Sequence, residues 1–98
     1  MLDLASVDEI AGKAAAATLK KTGISRVFSA PIVDLDGKDA LSVTVVLKSG
    51  TVKRVTGDAA LDTIVRIGET LHDAGDDRLA VVHFATEEEL AALGDPES

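Results

Sequence analysis

The chain has 98 residues, a formal net charge of −7, 46% hydrophobic residues and only two aromatics, Phe28 and Phe84. That length holds one domain, residues 1–98, around a single aliphatic core whose packing rests on side-chain fit rather than ring stacking. The absence of cysteine excludes disulfides, thiolate metal sites and cysteine nucleophiles, and no apolar run approaches the ~20 residues of a membrane span.

The first ten residues, MLDLASVDEI, lack a basic stretch ahead of an apolar run, so no secretory leader is expected, and the composition reads as that of a small bacterial-type cytoplasmic protein. Charge is distributed unevenly. Residues 1–57 hold eight Lys or Arg against six Asp or Glu, whereas residues 58–98 hold two against eleven. The acidic second half disfavours a nucleic-acid backbone as main partner, because phosphate binding is driven by Lys and Arg releasing counterions. It serves solubility, or it leaves Lys20, Lys21, Arg26, Lys48, Lys53 and Arg54 as a local basic patch facing an acidic partner.

Ser6 followed by Glu9 has capping-box spacing and predicts a helix over 7–22, with Ile10, Ala14 and Ala17 on one narrow face and Gly23 at its end. Residues 25–33 read as a strand with Phe28, Ala30 and Ile32 on one face and Ser29 on the other. Pro31 cannot donate to a ladder, which places this strand at an edge or turns Pro31 to its unpaired side. The turn DLDGKD leads into a second strand, 40–48, as an antiparallel hairpin. Leu41, Val43, Val45 and Leu47 alternate with Ser42, Thr44 and Lys48, the pattern of a sheet with one buried face. Ser49 and Gly50 mark a turn, and residues 51–55 are a candidate short strand. Over 58–74, Leu61, Ile64, Val65, Gly68 and Leu71 recur at helical spacing, with Gly57 and Asp58 opening the helix and Gly75 closing it. Residues 78–85 form a strand apolar on both faces, with Ala80, Val82 and Phe84 on one and Leu79 and Val81 on the other; such a strand is central or part of an interface. Thr86 with Glu89 repeats the capping-box spacing ahead of a short helix to Leu93, and residues 94–98 are expected to be a disordered tail.

These elements give an α+β fold: a two-layer αββ(β)αβα sandwich with a mixed three- or four-stranded sheet and two long helices on one face. The other face is uncovered, and Ser29, Ser42, Thr44, Val46, Leu79, Val81 and His83 are placed on it. That mixture of polar and aliphatic side chains suits a contact surface.

The order α-β-β-α-β resembles that of the second type of KH fold, and the resemblance implies an RNA accessory protein. The family's signature is a GxxG loop between two helices. Here Gly50 and Gly57 instead flank the six residues TVKRVT, so the resemblance is one of topology.

Asp34, Asp36 and Asp39 around Gly37 are the candidate metal-binding set, because carboxylates at near-alternate positions resemble acidic calcium loops. The same residues also make an ordinary hairpin turn. Gly37 follows Asp36 directly, and position 45 holds Val45 where an EF-hand has its bidentate glutamate. His72 falls late in a helix, where a cation meets the negative end of the dipole. His83 on the uncovered face could be composed with Ser42 or Thr44 into a hydrolytic set, but no nucleophile elbow accompanies it. The glycine ahead of the second long helix is followed by Asp58 and Asp62, which oppose an anion. The reading is therefore a non-enzymatic protein-interaction module without cofactor, using Ser42, Thr44, Val46, Leu79, Val81 and His83 to bind a protein partner or its own copy as a homodimer. A ligand- or cation-responsive module built on the acidic turn is the alternative.

Overall fold

The computed structural model describes residues 1–19, 23–48 and 55–93. Helix α1 (Leu4–Leu19), strands β1 (Ile24–Val33) and β2 (Asp39–Leu47), helix α2 (Gly57–Asp73), strand β3 (Leu79–Thr86) and helix α3 (Glu87–Leu93) follow one another along the chain. The fold is α+β, with helices packed on a three-stranded mixed sheet of order β1-β2-β3. Of the candidate strand over 51–55, residues 51–54 lie outside the described residues, as does the expected tail.

Helix α1 begins three residues earlier than the Ser6–Glu9 spacing predicts. Asp3 is the side chain that caps it, its Oδ1 accepting the Ser6 N–H at 2.8 Å. The shifted start changes the buried face. Val7, Ala11, Ala14, Ala15 and Leu19 point inward, while Ala17 is exposed and Ile10 half-buried. Alanine at three of these five positions lets the helix axis come close to its neighbours.

Strands β1 and β2 form the expected hairpin. Asp34 holds its turn, with Oδ1 accepting the N–H groups of Asp36 and Lys38, both at 2.9 Å, and Gly37 takes φ +80°. Pro31 is tolerated because β1 lies at the sheet edge among the described residues. Strand β2 is central, antiparallel to β1 and parallel to β3, so the chain crosses over through α2. Strand β3, expected to be central or part of an interface, is the other edge among the described residues.

The core lies between the sheet and the two long helices. Leu41, Val43, Val45 and Leu47 of β2 meet Val7, Ala11, Ala15 and Leu19 of α1 and Ile67 and Leu71 of α2. Helix α2 departs from its expected stripe: Leu61 and Val65 are 61% and 49% exposed, and the buried line is Thr63, Ile67 and Leu71. The reason is a polar match with α1. Thr63 is fully buried, its Oγ1 lying 2.6 Å from Thr18 Oγ1 while donating to the Ala59 carbonyl at 2.7 Å. A threonine facing a threonine satisfies both hydroxyls inside a helix-helix contact. Gly57 is the first residue of α2, and Thr56 caps it by accepting the Ala59 N–H at 3.0 Å. At α3 the capping box is realised reciprocally, Thr86 N–H to Glu89 Oε1 at 2.9 Å and Glu89 N–H to Thr86 Oγ1 at 3.0 Å.

Candidate interaction face

The sheet face turned away from α1 and α2 carries four rows across the strands: Arg26–Val46–Ala85, Phe28–Thr44–His83, Ala30–Ser42–Val81 and Ile32–Ala40–Leu79. Thr44 sits near its centre, between an aromatic ring and an imidazole. None of these twelve residues is Asp or Glu, although the chain has 17 acidic residues. Arg26 and His83 are its only ionisable groups. The Arg26 guanidinium carbon lies 5.0 Å from the Phe28 ring centroid, which holds the cation over the aromatic ring.

Of the residues expected on this face, Ser42, Thr44, Leu79, Val81 and His83 are brought together there. Leu79 is 61% exposed, His83 is exposed, and Ser42, Thr44 and Val81 are half-buried. Val46 has the right parity but is only 1% exposed; it occupies the last row, beside Ala85 and two positions before α3 begins. It is therefore no free surface residue. Ser29 lies on the opposite side. Its hydroxyl donates to Asp8 Oδ1 on α1, so the helix side of β1 carries Val27 and Ser29 and the open side carries Phe28, Ala30 and Ile32. The register with β2 shifts between Ile24 and Arg26, and the extra residue lets Ile24 and Val27 both pack on the core.

The acidic turn is not assembled as a cation cage. Asp34 uses its carboxylate on two backbone amides of the turn. Asp39, at the start of β2, instead adds to the field that strengthens protonation of Arg78. Among the described residues, no group of three or more His, Asp or Glu side chains is placed to hold a metal ion. His72 is away from the face, on α2, with Nδ1 3.2 Å from Asp77 Oδ1. Of the basic patch, Arg26 is on the face and Lys48 is exposed just after β2; Lys20, Lys21, Lys53 and Arg54 lie outside the described residues. No helix among the described residues is long and apolar enough to cross a membrane.

The polar centre that sequence reasoning missed lies at the opposite end of the sheet from α3. Asp76 is 1% exposed, and its carboxylate receives Arg78 Nε (2.9 Å to Oδ1, 3.2 Å to Oδ2), Arg78 Nη2 (2.6 Å), the Arg78 N–H (3.1 Å) and the Leu2 N–H (3.1 Å). Arg78 Nη2 also donates to the Leu2 carbonyl at 2.8 Å. The side-chain bonds from Arg78 hold the Asp76 carboxyl well below the usual carboxylate range, against the opposing effect of burial, and the two backbone N–H groups add to this. This clamp ties the segment before α1 to the α2–β3 connection. The only sequence signal was a carboxylate two residues before an arginine in GDDR, a spacing equally at home in a solvated turn.

A scan against protein-family models finds no match to this chain, and a search of the curated proteins finds none either.

Proposed function

We propose that this chain is a non-enzymatic interaction module whose uncovered sheet face binds another protein, one that presents apolar side chains together with a carboxylate. The observation that carries the reading is the absence of any acidic residue from the twelve positions of the face in a chain of net charge −7. A sheet face that only meets water has no reason to gather Phe28, Ile32, Val81 and Leu79 while excluding carboxylates. Packing this face against that of a second copy would bring two Arg26 and two His83 side chains into one contact with no acid in it. A different protein can supply that acid to Arg26. Three strands about 4.8 Å apart and some 25 Å long give a flat footprint of roughly 350 Å². That is well below the ~800 Å² per partner of a standard stable complex, so the contact suits reversible association.

Capture of the tagged chain from its native lysate tests this, with Val81→Lys on the face and Leu61→Lys on the outer side of α2 as the control. A stoichiometric partner retained by Leu61→Lys and lost by Val81→Lys is the expected result, with far-UV circular dichroism unchanged in both. A partner that survives Val81→Lys but not Leu61→Lys moves the contact to α2, and recovery of the chain alone overturns the reading.

A further inference from the structure

We infer that a second copy of this chain pairs along the outer edge of β3, antiparallel and centred on Val82, so that two three-stranded sheets join into one of six strands. This goes beyond the partner-binding role of the open face and uses a different surface. Strand β3 pairs only with β2 among the described residues, and in a parallel pair every second N–H and C=O points outward. Edges of this kind are normally blunted by lysine, proline or a bulge. The sequence LAVVHFAT contains none of these, and no residue in it is acidic. The opposite edge, β1, carries both Pro31 and a bulge.

Burial points the same way. The helix-side residues of β2 are 0–2% exposed, whereas Ala80, Val82 and Phe84 on the same side of β3 are only half-buried, as if the layer continued past them. The first residue of helix α3 reaches toward β1, with Ser25 Oγ donating to Glu87 Oε2 at 2.8 Å. The strand is also complementary to itself. Helices of both copies stay on one side only if residues of equal parity face each other. Centring on Val82 then sets Ala80 against the partner copy's Phe84 and Leu79 against its Ala85, large against small, with Val81 beside His83 and no like charges opposed. Pairing would merge the two open faces into one broader surface.

The chain lacks cysteine, so single substitutions report geometry directly. Across the inferred axis, residue 82 faces itself at about 5 Å between Cα atoms, within disulfide reach, while residue 81 is about 8 Å from its own copy, beyond it. Under mild oxidation of full-length protein, Val82→Cys is expected to give a covalent dimer at least tenfold faster than Val81→Cys or the helix control Leu61→Cys. Light scattering over roughly 1 μM to 1 mM should show a concentration-dependent dimer of the unmodified chain. The double variant Val81→Lys/His83→Lys should abolish it, and Val81→Glu/His83→Lys, which places opposite charges across the axis, should restore it. Both doubles change only the open side of β3 and leave the core intact. A chain monomeric throughout that range, equal cross-linking at 81 and 82, or a dimer indifferent to the lysine pair would each overturn the inference.

Discussion

Replacing Arg78 with methionine removes one half of the clamp and keeps an apolar stem of similar length. The Asp76 carboxylate would then be left nearly fully buried with only the N–H groups of Leu2 and residue 78 as donors, and the Leu2 carbonyl would lose its guanidinium partner. Breaking a buried pair from one side costs about 3–5 kcal/mol, because a charge remains without its counter-ion. That is a large share of the ~5–15 kcal/mol that holds a domain of this size together. Since the chain has no Trp or Tyr, unfolding is followed by far-UV circular dichroism in urea. With a slope near 1.5 kcal/mol/M the midpoint should fall by about 2 M or more. The pH dependence gives an independent check. The folded-state pKa of Asp76 is depressed, so its contribution is present above the ordinary unfolded value of about 3.9 and is lost as pH falls toward the folded one. In Arg78→Met the largest cause of that depression is removed and only the two backbone N–H groups still oppose burial, so the stability gap to the parent chain should narrow below about pH 4. A loss under about 1 kcal/mol at neutral pH, or a gap that stays constant down to pH 2, would refute the reasoning.

Val46→Lys should destabilise the fold by several kcal/mol, comparably with Val45→Lys, because both positions are closed to solvent although they point to opposite sides of the sheet; a urea midpoint within error of the parent would contradict that burial. Gly37→Ala should cost about 1–2 kcal/mol, all of it backbone conformational energy, since φ is +80° and the space a Cβ would enter is empty. Gly37→Asn, which tolerates that region better, should recover part of the loss in the same titration.

Much of the architecture was legible because its signals are local. The alternation from Leu41 to Leu47, the Thr86–Glu89 capping box and the apolar period of α2 each arise within one element, and each element forms where its signal lies. Apart from the start of α1, which Asp3 caps in place of Ser6, the errors come from interactions between elements. Ser29 reads as solvent-facing until Asp8 of α1 is there to receive its hydroxyl, and the parity of β1 cannot be followed through a bulge that leaves no mark in its composition. Thr63 interrupts an apolar stripe until Thr18 is placed opposite it. Asp76 and Arg78 look like turn residues because the backbone that completes their site, at Leu2, is more than seventy positions away. For the candidate face, the β2 and β3 positions could be read from alternation, whereas Phe28 and Ile32, which give it much of its apolar character, are assigned to the wrong side when apolar side chains are taken to face the helices.

The clamp also sets an order of events during synthesis. A chain emerging from the ribosome at about 5–20 residues per second can close the β1–β2 hairpin and lay α1 across it as soon as β2 is out. Leu2 has to wait until Arg78 has been added before its N–H and carbonyl find their partners. Until then the leading turn of α1 is secured only by Asp3 and its own packing, and β2 presents an unpaired edge to every neighbouring nascent chain. The arrival of β3 therefore pairs the free edge of β2 and latches the segment before α1 in the same step, which makes the start of α1 a natural reporter for the docking of β3.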